Sequence, residues 1–545
     1  MSGELWRPLE LAVTRLVSHA GWRSVQDIGQ SGDRGADILA VKPNVAGDQT
    51  FLFQVKAVSG PSYVGVSAID QAVRGQAHYG AKVVIVATNG EFTKSAYKRK
   101  DQLCAQGFDV RLWNGTVLET LANRMSVRSA AYREPRDYQG RIVDRIINNV
   151  DAQVRRSLFV VATGLGKTVI AATAADRLFA RSFSRILVLC HAVDLAQQLQ
   201  REFWPQLAKN IPTRLFMDGQ PPVPINGINF GLYQSLFNQL GGVSPDAFDL
   251  IIVDEAHHAL ANAFGSTLEH LRPKHLIAMT ATPWRGDGRT VESYFGDPIE
   301  RLSLVDGMKS GYLAKVDYRL MTDNIDWDEV PRLARKSVSI RDLNRRLFVP
   351  QRDEAVVAEI RKVASQIANP RIVVFSPSKA HAASFADMLS AAGIAAANMS
   401  VEDKFERRKL LVEFSAGRIR ALTAVDVLNE GIDVPDVNLL VFLRATHSRR
   451  IFVQQLGRGL RLALGKDKVI VLDFVTDIRR IAAVLEMDNE AKEEPKAGEI
   501  ERVYLRDGIV QFSNPSSKAF IDQWLEDVAS LNDADDAQRL TFPDC

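Results

Sequence analysis

The sequence predicts an α/β protein: an N-terminal α/β domain, then two parallel-sheet lobes in series, then a small acidic helical tail. Three observations predict it. From Arg136 onward, apolar runs of strand length alternate with amphipathic helical stretches, which is the rhythm of parallel βαβ units. That rhythm is interrupted by a polar, irregular stretch around Lys315 to Arg352 and then restarts, so there are two lobes. The N-terminal stretch has another order: helix, strands, then helix and strand. A chain of 545 residues is too long for one core. The expected units are residues 1–128, 129–320, 321–480 and 481–545.

The composition, 46% hydrophobic and 24% charged, is that of a globular protein. No apolar run approaches the ~20 residues that span a bilayer. The start, "MSGELWRPLE", has no basic segment followed by an apolar block, so no secretory signal is expected. Cys104, Cys190 and Cys545 are far apart, which argues against a disulfide framework and a cysteine zinc site. A cytoplasmic location and no membrane partner are expected. The net charge of +3 is uninformative, but its distribution is uneven. Ile481 to Cys545 carries 15 acidic and 6 basic residues, which leaves the body near +12. A basic body suits a polyanionic partner.

In the first unit, "ELAVTRLVSHAG" has helical spacing and stops at Gly21. "GADILAV" and "FLFQVKAV" read as strands joined by the turn-rich "KPNVAGDQ", and "AKVVIVATNG" as a buried strand. Strand side chains alternate, so Gln54 and Lys56 share one face of an otherwise apolar segment. A phosphodiester hydrolase needs oxygen ligands for Mg²⁺ and a cation near the scissile phosphate. Asp37 and Gln54 supply the metal ligands, Lys56 the cation, and Glu10 on the first helix completes or polarises the shell. The plain alternative is a half-exposed face with solvated residues. Trp6, Trp22 and Trp113 read as packing. "SVRSAAYREPRDYQ" is a polar linker.

In the first lobe the strands are "SLFVVATG", "RILVLCHA", "GINFGLYQ", "DLIIVDEA" and "HLIAMTAT". "ATGLGKT" follows the first of them and precedes a helix, the setting of a phosphate-binding loop. Gly164 and Gly166 let backbone N–H groups curve around phosphate oxygens, at a helix N-terminus. Lys167 reaches the β- and γ-phosphates, and Thr168 offers its hydroxyl to Mg²⁺. The strict pattern wants glycine at position 161, where this chain has Val161. Asp254 and Glu255 end another buried strand. There Asp254 can hold the Mg²⁺ and Glu255 can orient the attacking water. The second lobe repeats the rhythm in "RIVVFSP", "IRALTAV", "VNLLVFL" and "KVIVLDF".

"ATGLGKT", "VDEAHH" and "MTATP", with "VDVLNEGIDVP" and "QQLGRGLR" further on, resemble the motifs of DEAH-type superfamily-two helicases, from Arg136 to about Phe474. The likeness is greatest to restriction-enzyme motor subunits, and it implies RecA-like lobes. It further implies that Gln139 in "RDYQ" reads adenine and that Thr163 belongs to the nucleotide site. Thr280 and Thr282 would couple hydrolysis to lobe movement. Glu430, Gly431 and Asp433 would face nucleotide and nucleic acid, and Arg458 and Arg461 would close on the γ-phosphate. His257 reads as a motif residue and His258 as packing.

The first unit, through "SGDRGADIL", "FQVKAVSG" and "VVIVATNGEFTKSA", resembles the Mrr-type restriction endonuclease domain of the PD-(D/E)xK fold. Most of that fold has an acidic residue where this chain has Gln54; the Mrr branch has glutamine. Thr88 and Thr93 belong to family structure without a catalytic role. The resemblance implies an ATP-dependent DNA helicase or translocase coupled to a Mg²⁺-dependent endonuclease in defence against foreign DNA. It would act on double-stranded DNA, as a homodimer or with a separate specificity partner. Two alternatives stay open: a nucleic-acid-remodelling ATPase whose first domain only binds DNA, and a DNA-repair helicase-nuclease.

Overall fold

The computed structural model describes residues 6–28, 35–42, 49–60, 62–216, 223–257, 262–281, 291–321, 326, 328–333, 336–348, 353–425, 437–443, 456–457, 459–460, 462, 466, 468–474, 477–492, 509–513 and 539–541. His258, Thr282, Glu430, Gly431, Asp433, Arg458 and Arg461 lie outside the described residues, as does the side chain of Trp6.

The first domain opens with a helix, Trp6–His19. Its strands are β1 (Arg23–Asp27), β2 (Ile38–Lys42), β3 (Gln49–Lys56), β4 (Tyr63–Val64), β5 (Val83–Thr88), β6 (Glu91–Phe92) and β7 (Asp109–Trp113). Five of them form one sheet in the order β1-β2-β3-β5-β7. β2 is antiparallel to both β1 and β3, while β3, β5 and β7 are parallel. β3 is central, and its alternation builds both faces. Phe51, Phe53 and Val55 pack with Val13 and Val17 of the first helix. Leu52 packs on the other face with Ile69 and Ala72 of the helix Val66–Tyr79. Trp22 and Trp113 pack as expected, with ring centroids 4.5 Å from Phe51 and 5.6 Å from Phe53 respectively. Gly35 has φ +87°, and a Cβ there would lie 2.1 Å from the Gln71 carbonyl oxygen. Only glycine therefore lets the turn press against the helix Val66–Tyr79 and deliver Asp37 to the start of β2.

The first lobe contains β8 (Arg156–Val161), β9 (Arg185–Cys190), β10 (Thr213–Phe216), β11 (Gly227–Leu232), β12 (Leu250–Val253), β13 (His275–Thr280) and β14 (Pro298–Leu302). They form one parallel sheet, ordered β10-β11-β9-β12-β13-β8-β14. Along β8, Leu158 and Val160 enter one core and Phe159 and Val161 another, so helices cover both faces.

The second lobe contains β15 (Lys315–Met321), β16 (Ser337–Ser339), β17 (Ile372–Phe375), β18 (Ala396–Asn398), β19 (Ala421–Ala424), β20 (Leu439–Phe442), β21 (Lys468–Phe474), β22 (Val510–Phe512) and β23 (Arg539–Thr541). Seven form a parallel sheet in the order β18-β19-β17-β20-β21-β15-β22, and β16 pairs with β23.

Two expected boundaries need correction. The cut at 320 falls inside β15, whose residues pair with β21 of the second sheet. β15 alternates buried Val316, Tyr318 and Leu320 with more exposed residues, so its apolar content is too low to read as a core strand. The cut at 481 likewise falls inside a helix. The helix Ile478–Lys492 buries Ile481, Ala482 and Val484 completely, and β22 extends the second sheet beside β15. Asp488 and Glu490 have partners. Asp488 accepts the Ile509 N–H at 2.7 Å, and Glu490 accepts the Ser303 hydroxyl of the first lobe at 2.7 Å. A net charge counts every residue, whereas docking is decided by the apolar stripe of one helix.

Candidate functional site

The loop Ala162–Gly166 leaves β8 and enters the helix Lys167–Phe179. Gly164 and Gly166 have φ of +89° and +78°, the left-handed region that glycine tolerates. Both are also crowded. A Cβ on Gly164 would lie 2.3 Å from the Gly457 carbonyl oxygen, and one on Gly166 would lie 2.5 Å from Gln139 Nε2. The loop is thus held from two sides. Gln139 accepts the Arg136 N–H at 2.9 Å through Oε1 and donates through Nε2 to the Leu165 carbonyl at 3.0 Å. The structure engages this glutamine with the phosphate loop itself. From the second lobe, Gly457 comes so close that a Cβ on it would stand 2.6 Å from the Thr163 carbonyl oxygen. The Ala314 N–H also donates to the Leu460 carbonyl at 2.8 Å. The lobes therefore meet at the loop, through Gly457 and Leu460 of the second lobe.

Asp254 and Glu255 follow β12, beside β13, which in turn adjoins β8. This puts the acidic pair at the same sheet end as the loop. Asp254 is buried, and burial and the neighbouring Glu255 push its carboxyl well above the usual range, while Lys167 opposes them. A buried carboxyl in that field fits a cation, which would favour its charged form. Thr168, half-buried at the helix start, offers the second oxygen. Glu255 has φ +46°, an uncommon conformation for a residue with a side chain. Its Oε2 lies 3.3 Å from His257 Nδ1, which is 3.1 Å from Thr280 Oγ1. The acidic strand end is thereby joined to the end of β13.

In the first domain the structure brings Asp37 and Gln54 together. Asp37 Oδ2 accepts hydrogen bonds from both Gln54 Nε2 and the Val55 N–H. Both residues are buried, and Gln54 Oε1 has no hydrogen-bond partner among the described residues. A buried amide oxygen left over beside a carboxylate is costly unless something polar meets it. It fits an oxygen-seeking cation such as Mg²⁺, held by Asp37 and Gln54. Lys56, two residues on, is half-buried and lies opposite Thr88 of β5. Thr88 accepts the Gly90 N–H and Thr93 caps the helix Lys94–Ala105, so both act in structure. Glu10 is buried, with Oε2 3.6 Å from Arg7 Nη1.

Sequence reasoning missed Arg7 and Asp27. Arg7 Nη1 lies 3.0 Å from Asp27 Oδ2 as well, so one guanidinium bridges two buried carboxylates. Asp27 ends β1 opposite Ile38, next to Asp37. The available signal was an acidic residue closing the short alternating run "RSVQD".

Comparison with known proteins agrees with this division. Residues 3–122 match the model described as restriction endonuclease, of the Mrr catalytic type. Residues 133–285 match the type III restriction enzyme res subunit, and residues 353–463 the helicase conserved C-terminal domain. IRC3 of Saccharomyces cerevisiae, a proposed ATP-dependent helicase, is 24% identical over 376 residues, covering 66% of this chain and 54% of that protein. The type I restriction enzyme EcoAI endonuclease subunit of Escherichia coli is 26% identical over 391 residues, covering 63% and 46%. The chain spans about half the length of these relatives. The solved structure of the ATP-dependent type ISP restriction-modification enzyme LlaBIII bound to DNA has a TM-score of 0.53 at 15% identity, covering 93% of this chain and 40% of that one. That likeness concerns the fold. The chain is thus similar to an Mrr-type restriction endonuclease domain over residues 3–122 and to helicase domains over residues 133–285 and 353–463.

Proposed function

We propose that this protein is an ATP-dependent DNA helicase or translocase coupled to a Mg²⁺-dependent endonuclease, acting on double-stranded DNA in restriction of foreign DNA. The observation that carries the nuclease half is the buried Asp37–Gln54 pair with its spare amide oxygen, two residues from Lys56. Mg²⁺ bound there supplies Lewis acidity and an activated water. Asp37 and Gln54 hold the ion, and Lys56 steadies charge on the scissile phosphate. In the motor, Lys167 binds the β- and γ-phosphates, Thr168 and Asp254 hold the ion, and Glu255 orients water. Arg458 and Arg461, assigned by their motif alone, stabilise the γ-phosphate when the second lobe closes on the loop. Asp433 is assigned to nucleotide binding by its motif alone.

One observation favours the reading in which the first domain only binds DNA. Among the described residues, no three His, Cys, Asp or Glu side chains are grouped so that they could hold a metal ion. Incubating the protein with modified and unmodified plasmid, with and without ATP and Mg²⁺, separates the two readings. Cleavage that disappears in Lys56→Ala supports the nuclease. Wild-type protein that hydrolyses ATP and never cuts establishes the binding module.

A further inference from the structure

The first domain touches both motor lobes. Its contact with the second lobe is the helix Lys404–Ser415, which packs on β1 and β2. Val412 of that helix is 1% exposed and sits inside the first domain's own core, among Ile28, Leu39 and Leu52. Its contact with the first lobe runs through Lys209, whose ammonium donates to the carbonyls of Ala122 and Met125 at 3.1 and 2.8 Å.

One side chain joins all three bodies. Arg408, in the helix Lys404–Ser415, donates from Nη1 to the Asp27 carbonyl of β1. Its Nη2 donates to Gln197 Oε1, in the first-lobe helix Val193–Phe203, at 3.2 Å. Arg408 is half-buried there. Arg201, Gln197, Arg7 and Asp27 line a small cavity of about 10 Å³ at this junction. Burial lowers the Arg408 guanidinium below its ordinary value, with Asp27 and Asp194 opposing. A charged donor in such a place is held by its partners or is strongly destabilising. Those partners belong to different bodies, and the lobes meet at Gly457 and Thr163 in this arrangement. Separation of the lobes must break at least one of the two Arg408 bonds.

We propose that Arg408 is a latch reporting lobe closure to the nuclease sheet, and so a positioning residue for DNA cleavage. The route is short. Arg408 grips the end of β1 at Asp27, and Asp27 pairs opposite Ile38, adjacent to Asp37. The Asp27 carboxylate is also tied through Arg7 to Glu10. With the lobes closed, β1 and β2 are clamped and the Asp37–Gln54 pair is fixed. With the lobes open, the Gln197 bond is lost and Arg408 holds that edge without its anchor on the first lobe. The functional consequence rests on the nuclease reading above; the latch itself does not.

Hydrogen–deuterium exchange on the full chain tests it, with ADP or with the non-hydrolysable analogue adenylyl imidodiphosphate, each with double-stranded DNA. In the wild type, amides of residues 23–42 should exchange about tenfold more slowly with the analogue than with ADP, the equilibrium worth of one charge-assisted hydrogen bond. In Arg408→Ala that dependence should vanish, while nucleotide protection of the loop 162–168 persists. Gln197→Ala, which removes only the first-lobe partner, should do the same and serves if Arg408→Ala folds poorly. Arg408→Lys keeps the charge but cannot span both acceptors, so it should not rescue. Equal nucleotide dependence in the wild type and the variants, or none in the wild type, overturns the latch. Plasmid cleavage is measured in parallel, and its ATP dependence should fall towards none in Arg408→Ala with ATPase unchanged. A wild type that shows the exchange pattern but never cuts removes the nuclease reading and leaves the latch standing.

Discussion

Single atoms decide what each site can do. Lys167 is the one charged side chain of the phosphate loop, so Lys167→Ala should lower ATP turnover by about 10²–10³-fold, the usual loss for one electrostatic contact in a preorganised site. Glu255→Gln keeps the shape and loses the base, so it should bind nucleotide normally and turn over about 10²–10⁴-fold more slowly. Steady-state ATPase with a fluorescent-nucleotide binding assay separates the two effects, and normal turnover in either variant defeats the motor assignment. Gly457 gives a sharper test, because it concerns an arrangement rather than a group. A methyl there meets the Thr163 carbonyl oxygen at 2.6 Å and Thr163 Cβ at 2.9 Å. Gly457→Ala should therefore impede closure, lowering kcat while nucleotide still binds to the first lobe. Hydrolysis at the wild-type rate would mean that the contact between Gly457 and the loop is not part of the working cycle.

Elements show where sequence reading succeeds and where it fails. β8, β9, β12 and β13 were legible because both faces of a parallel sheet are covered and each strand carries an unbroken run of apolar residues. β10, β14, β18 and β22 sit at or near sheet edges and are short or partly exposed, so composition does not mark them. The pair Asp37–Gln54 was legible because strand alternation and a glycine turn are local rules. The pair Arg408–Asp27 was not, because 381 residues separate its members and no local pattern carries the contact. The C-terminal helix Ile478–Lys492 shows the same limit. Ile478, Ile481 and Val484 are fully buried there, each worth ~1.5–3 kcal/mol of transfer free energy. A chain ended at Asp477 should accordingly lose most of the ~5–15 kcal/mol that holds an ordinary domain, and with it the second lobe. Thermal unfolding followed by circular dichroism measures this. A truncated protein with an unchanged Tm would restore the view of that segment as a solvated tail.

At the scale of the whole molecule, the two proposed sites share no residue, and contacts between bodies couple them. Asp37→Ala and Lys56→Ala should abolish cleavage and leave DNA-stimulated ATPase near wild type, measured on the same DNA with matched preparations. DNA binding by a motor of this kind is carried by phosphate contacts, so the stimulated ATPase should fall steeply between low and moderate salt as counterions are retained. Cleavage has a further constraint of number. On the proposed nuclease reading, each chain supplies one Asp37–Gln54–Lys56 site, and one such site would cut one strand per encounter. A double-strand break therefore needs two chains, brought together as a dimer or as two motors meeting on one DNA. Nicked circles should precede linear product, and linear product should rise more steeply than linearly with protein concentration. A preformed dimer would remove that curvature, and sedimentation at the assay concentration identifies one. The decisive mixture contains wild type and Lys56→Ala in equal amounts. If two chains are needed, the mutant should trap nicked circles by occupying the partner position with its motor intact. If linear product instead falls only in proportion to dilution, each chain cuts both strands by itself and the two-chain requirement is wrong.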